Sequence, residues 1–206
     1  VELELAQLPV LERYKLLIGL VIPRPIAWVS TWSENGVANC APFSFFNVIS
    51  EDPPLCILSF NWRSDGAIKH TLKNIRRTGE YVVNLADEAT ANAMHLTGTE
   101  IPEAESEFSR FGLTPAPAKV VKHPRIAEAA ASLECRVERR INFGPEREMV
   151  VGEILWIHAR DGIIDPVTKR ISEDLYRPVG RLFAERYCTT RQRFNLPGKL
   201  PPGKAP

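Results

Sequence analysis

The sequence carries few of the signals that announce a common chemistry. It has no GxGxxG, no phosphate loop ending in GK[ST], no HExxH and no GxSxG, so a nicotinamide cofactor, if used, is not held by a Rossmann fingerprint and binds transiently against something else. Cysteine is scarce: Cys40, Cys56, Cys135 and Cys188 form no CxxC pair and no His/Cys cluster at zinc spacing. No metal site is expected from them. Cys56, inside Leu55-Cys-Ile-Leu-Ser-Phe60, reads as a small buried hydrophobe, and Cys188, beside Tyr187 near a polar tail, as the more exposed one. His95, His123 and His158 lie apart without ligand spacing and read as structural or surface residues, His158 on a strand. Charge of one sign is also missing. The 206 residues carry 26 Lys and Arg against 25 Asp and Glu, a net charge of +1, so no global field favours nucleic acid or an anionic membrane. No uncharged apolar run approaches a membrane span. The start, Val1-Glu2-Leu3-Glu4, lacks the basic and then apolar regions of a secretory leader, and the expectation is a cytoplasmic protein.

What is present is concentrated between Ile22 and Pro54. Ile26 to Trp32 is β-branched and aromatic, Asn35-Gly36 is the strongest two-residue hairpin signal, and Val37 to Ser44 supplies the returning strand. Pro23 and Pro25 on one side and Pro53-Pro54 on the other remove donors and fix φ, bracketing the hairpin. Ala41 to Asn47 mixes small, aromatic and hydroxyl residues without a regular period, a composition that can face a flat ligand. Alternation puts Trp28 and Trp32 on one strand face and Thr31 on the other, which assigns the tryptophans to packing and Thr31 to a ligand, while Phe43 to Phe46 is open between core and ligand.

The rest reads as one domain. Apolar residues at helical spacing from Leu8 to Leu20, with Pro9 in the first turn, predict an N-terminal helix across one end of the fold or onto a second subunit. Leu55 to Trp62 reads as a strand buried on both faces. Ile68, Leu72 and Ile75 give one face of a helix over Gly66 to Thr78, stopped by Gly79, with Thr71, Asn74 and Thr78 as a neighbouring polar stripe. Arg76 and Arg77 read as structural. Tyr81 to Leu85 reads as a strand, and Asp87 as the cap of a helix over Glu88 to Leu96. Gly, Pro, Glu and Ser between Thr97 and Lys122 predict a long surface excursion with one helical turn near Glu105 to Phe111. Leu133 to Ile141 and Met149 to Ala159 read as long strands. The boundaries are a helical segment at 1–21, the main domain at 22–190, and a Pro/Gly/Lys-rich tail at 191–206, whose end from Leu196 to Pro206 should be poorly ordered unless a partner holds it.

The run PRPIAWVST, then NG, then APFSFFN and DPP, followed by Lys69, Thr71 and Asn74 and by Arg181-Leu182, resembles the flavin reductase-like family with an FMN-binding split barrel, over Ile22 to Tyr187. The resemblance implies a mainly β fold, a six-stranded antiparallel Greek-key split barrel with flanking helices. It also implies a homodimer, FMN rather than FAD near the subunit interface, and NAD(P)H as a transient co-substrate. On this basis Thr31, Ser44, Phe45 and Phe46 meet the isoalloxazine or ribityl chain, Thr71 and Asn74 lie on the phosphate side, and Arg181 is near flavin or interface. Arg24 and Lys69 complete the set of residues available to a phosphate. Without the resemblance Thr31 is an ordinary strand residue, Thr71 and Asn74 are exposed helix positions, and Arg181 forms a surface ion pair. His70 stands where the family often has aspartate, replacing an acceptor with a group that titrates near neutrality. The family borders its flavin with the equivalent of the 97–122 excursion. No residue constellation resembles a proton relay or nucleophile, so no catalytic side chain is assigned; the flavin would carry the chemistry. The expected activity is hydride transfer from NAD(P)H to bound flavin, with an FMN-binding electron carrier or a partner-binding barrel as the alternatives.

Overall fold

The hairpin required by Asn35-Gly36 is present in the computed structural model of the chain, which describes residues 1–196. Strands β1 (Ala27–Trp32) and β2 (Ala38–Phe43) pair antiparallel from Ala27 opposite Phe43 to Trp32 opposite Ala38. Gly36 turns the corner with φ 74°, open to a residue without a Cβ. Helix α1 (Val10–Leu20) precedes them, starting just after Pro9.

Seven strands make one antiparallel sheet. Besides the first two they are β3 (Phe46–Glu51), β4 (Pro54–Asn61), β5 (Glu80–Leu85), and, after the two-residue β6 (Pro115–Ala116) and β7 (Arg125–Ile126), β8 (Ala131–Asn142) and β9 (Arg147–Ala159). Their order is β2-β1-β5-β8-β9-β4-β3. The expectation of a six-stranded split barrel is therefore corrected in two respects: the sheet has seven strands, and its end strands β2 and β3 are not paired, so it does not close into a barrel. The unforeseen strand is β3. Only Phe46 of it is buried, whereas Asn47, Val48 and Ile49 are exposed, so its sequence shows no inward alternation. The expectation of a strand buried on both faces at Leu55 to Trp62 is corrected as well, because β4 alternates: Cys56, Leu58 and Phe60 are fully buried and Leu55, Ile57 and Ser59 only partly.

One face of the sheet holds the main core, Val29, Phe43, Leu58, Phe60, Tyr81, Val83 and Val150, covered by Leu72 and Ile75 of α2 (His70–Thr78). Phe43 and Phe60 meet edge to face at 4.6 Å. A second core on the opposite side of β1 gathers Trp28, Cys40, Met94, Phe108, Ile126 and Val179. Trp28 donates its Nε1–H to Thr97 there at 2.9 Å. Helix α3 (Ala91–Leu96) is shorter than expected, because Asp87 and Thr90 bond one another reciprocally and hold residues 87–90 as a turn.

The long excursion is tied down rather than free. Its single turn α4 (Glu107–Arg110) covers the exposed edge of β2: Glu107 accepts the Cys40 N–H at 3.2 Å and Ser106 donates to the Ala38 carbonyl. Further on, the Glu134 carboxylate accepts the backbone N–H groups of Lys119, Val120 and Val121 and faces His158 Nε2. Strands β10 (Val179–Arg181) and β11 (Tyr187–Thr189) form a separate hairpin that joins the main body through Arg24, whose N–H and C=O exchange bonds with Arg181 at 2.9 and 2.8 Å. Gly180 permits this approach, since a Cβ there would lie 2.9 Å from Pro23 Cβ. Of the tail, residues 197–206 lie outside the described residues.

Candidate functional site

A cleft of about 1000 Å³ opens between α1, the β2–β3 connection and the β10–β11 hairpin. That volume is at the upper end for small-molecule sites. Ile18, Phe43, Phe45 and Met94 supply apolar surface, Ser44 and Ser59 supply hydroxyls, and the charged lining is Lys15, Arg24, Lys69, Arg147 and Arg181 against Glu185 alone. Such a basic, partly apolar recess focuses positive potential on its contents and suits an anion with a flat ring.

Arg24 builds the cleft more than it offers itself to a ligand. Buried in the fold, its guanidinium donates to the carbonyls of Ile18 at 2.6 Å, Val21 at 3.0 Å and Leu182 at 2.7 Å, and to Ser44 Oγ at 3.2 Å. One side chain thus satisfies the C-terminal carbonyls of α1 and ties them to the β2–β3 connection and the 182 turn. Burial holds its pKa below the ordinary arginine value.

The residues expected to hold a cofactor divide into two groups. Ser44, Phe45 and Arg181 line the cleft, Phe45 partly exposed beneath the Arg147 guanidinium at 6.0 Å. Thr31, Phe46, Thr71 and Asn74 are buried in the fold behind it, and none of their residues lines the cavity. Phe46 belongs to the main core. Asn74 Nδ2 donates to Thr31 Oγ1 at 3.0 Å, and Asn39 Nδ2 to Thr71 Oγ1 at 3.0 Å and Thr31 Oγ1 at 3.4 Å. This polar knot pins α2 onto β1 and β2, and the reading of Thr71 and Asn74 as exposed helix positions is corrected by it. Asn39 gave no sign in the sequence beyond being a polar residue in a strand.

The pinned helix begins next to the cleft. Lys69, the residue before its first turn, lines the cavity, and the first backbone N–H groups of a helix have no partner within it. His70 opens the helix with its Nε2 3.2 Å from Arg63 Nη1. Burial, and then the Arg63 charge, lower its pKa, so it is neutral at pH 7. A neutral imidazole in that position adds no negative charge beside an anion. Arg76 and Arg77 face elsewhere, on Glu148 and the Trp32 carbonyl.

Elsewhere in the cleft lining stands an arrangement that sequence reasoning missed. Arg181 Nη1 donates to the Tyr187 hydroxyl and Nη2 to the Ala184 carbonyl, with the guanidinium carbon 4.7 Å from the Tyr187 ring centroid. His95 Nδ1 lies 2.9 Å from the same hydroxyl. The pairing spans 92 residues, and neither partner had a local motif. Of the 97–122 excursion, by contrast, only Gly98 and Thr99 reach the cleft.

A sequence profile described as a flavin reductase-like domain matches residues 19–172. The chain is 44% identical to an uncharacterized protein of Aquifex aeolicus, over 84% of this chain and 88% of that protein. Among solved structures it is similar to the 2-nitrobenzoate 2-nitroreductase NbaA of Pseudomonas fluorescens, at 36% identity and TM-score 0.90, covering 99% of this chain and all of that one. It is also similar to nitrilotriacetate monooxygenase component B of Bacillus cereus, at 31% identity and TM-score 0.89, covering 95% and 98%.

Proposed function

The chain belongs to the flavin reductase-like family, and on that premise we propose that its cleft binds FMN and that the protein is an NAD(P)H-dependent oxidoreductase of the flavin reductase type. One observation carries the reading: apolar and aromatic surface, hydroxyls and basic side chains, among them the N-cap residue of α2, converge on one recess large enough for a flat ring and a phosphate. The residues fit the group. Ser44 and Phe45 would flank the ring and its chain, and Lys69, with the first N–H groups of α2, would meet the phosphate. Thr31, Thr71 and Asn74 would act behind this surface by fixing the helix and its exposed N–H groups. FMN, when bound, supplies the two-electron chemistry; the protein binds it, orients it and limits access to its face. Arg181 would bound the cleft as well.

Anaerobic mixing of FMN-loaded protein with NADH and with NADPH tests the activity. Bleaching of the oxidised flavin band faster than for free FMN supports the reductase. No acceleration with either nucleotide removes direct reduction and leaves an electron carrier. We also propose a homodimer, because Val10, Leu11, Leu17 and Leu20 of α1 and Val48 and Ile49 of β3 leave apolar surface exposed on the single chain. Monomeric sedimentation at micromolar concentration would count against it.

A further inference from the structure

We propose that Tyr187 donates a proton to the molecule reduced in this cleft and is recharged by His95, so that the cleft serves organic acceptors whose oxygen is protonated on reduction, quinones being the representative class. The inference rests on the flavin reading only for the supply of electrons.

The geometry is that of a relay. Arg181 and Tyr187 are directly opposed across the β10–β11 pair, so their side chains share one face. His95 arrives from α3 with its ring edge-on to the tyrosine, centroids 5.7 Å apart at 88°. All three residues line the cleft. A phenol has one proton and two lone pairs. With Arg181 donating to one lone pair and His95 Nδ1–H able to donate to the other, the phenolic proton is left to point at a cleft occupant. Arg181 also favours the negative charge that develops on the oxygen as its proton leaves. The hairpin does not need this arrangement to close, because Val179, Gly180 and Arg181 already pair with Thr189, Cys188 and Tyr187 through the backbone. Hydride transfer between planar rings needs no protein acid, whereas an acceptor that becomes a hydroxyl compound does.

A reduced nicotinamide gives up a hydride and becomes oxidised, and the quinone receives that pair of electrons with the hydride's own hydrogen on one oxygen and a second proton on the other. The Tyr187 Oη–H bond breaks as an O–H bond forms on the quinone oxygen. The Nδ1 proton of His95 passes to Tyr187 Oη while Nε2 takes one from solvent, which the half-buried ring allows. The sum is quinone, NAD(P)H and one proton giving hydroquinone and NAD(P)⁺. Here Tyr187 is the catalytic residue and His95 a positioning and recharging residue.

Two acceptors separate the proton from the electrons. FMN-loaded wild type, Tyr187→Phe and His95→Ala are supplied with NADH and either ferricyanide, which takes electrons alone, or duroquinone, which takes protons as well. Tyr187→Phe should lose duroquinone turnover about a hundredfold more than ferricyanide turnover, and His95→Ala should lose less and recover with added imidazole. Equal losses with both acceptors, or no loss with duroquinone, would overturn the proposal. A second reading needs no flavin: in apo protein with ¹⁵N-labelled histidine, the hydroquinone of the same acceptor should move the His95 Nδ1 resonance in wild type and leave it in place in Tyr187→Phe. Identical behaviour of the two would also overturn the proposal. If wild-type protein fails to take up FMN, the flavin reading falls, and the resonance experiment decides the relay by itself.

Discussion

The Asn74 side-chain amide donates to the Thr31 hydroxyl at 3.0 Å, joining α2 to β1 across 43 residues, with both partners buried. Around it, Asn39 and Thr71 complete a knot that holds the helix whose N-cap residue, Lys69, lines the cleft. The account of the site depends on this division between residues that hold the helix and residues that meet the ligand.

Thr71→Ala combined with Asn74→Ala strips partners from the buried Asn39 and Thr31. The expected loss is about 2–4 kcal/mol of folding stability, accompanied by weaker FMN binding as α2 loosens. Lys69→Ala removes a partly exposed cation whose ion pair with Glu100 spans 3.7 Å, a pair of the kind worth at most about 1 kcal/mol. It should weaken FMN about tenfold with little change in stability. Urea unfolding and fluorescence titration of FMN separate the two; a stability loss for Lys69→Ala equal to that of the double variant would break the division.

Gly152 on β9 exists for Tyr81. A Cβ at Gly152 would lie 2.0 Å from the Tyr81 hydroxyl oxygen, inside a fully buried core where that hydroxyl contacts Cys56 Sγ at 3.6 Å. Gly152→Ala should destabilise by about 3 kcal/mol, and Tyr81→Phe in the same chain should restore part of it. Wild-type stability in Gly152→Ala would show that the core repacks freely.

His123 links stability to acid. Its Nδ1 accepts the Trp32 N–H at 2.8 Å and its Nε2 meets Thr78 Oγ1 at 2.8 Å, and burial pushes its pKa down to about 4. The unfolded chain, with an ordinary histidine near 6.5, therefore binds the proton more readily than the folded one. Stability is fully present above about pH 6.5 and falls as pH drops toward 4, by up to about 3 kcal/mol from this group. In His123→Gln the slope of unfolding free energy against pH should flatten in that window. An unchanged slope would place the acid sensitivity elsewhere.

How much of this was legible in the sequence follows from the range of each interaction. The β1–β2 hairpin was readable because Asn35-Gly36 sets its turn locally, and the α2 core face because Leu72 and Ile75 keep helical spacing, although the helix starts at His70 rather than Gly66 and leaves Ile68 ahead of it. Strand β3 was not, since its pairing with β4 leaves Val48 and Ile49 facing outward and produces no alternation. Ser44, Phe45 and Arg181 were reachable through the family pattern. The burial of Thr71 and Asn74, the use of Arg24 on three backbone carbonyls, and the meeting of His95 with Tyr187 depend on tertiary partners that no window contains.

Uptake of FMN by the purified chain is the most direct measurement. Titrated with the protein, FMN fluorescence should be quenched to an endpoint of one flavin per chain, and the protein should stay yellow through gel filtration or regain its colour when FMN is added back. A colourless protein that leaves FMN fluorescence unchanged at micromolar concentrations would contradict the assignment of the cleft.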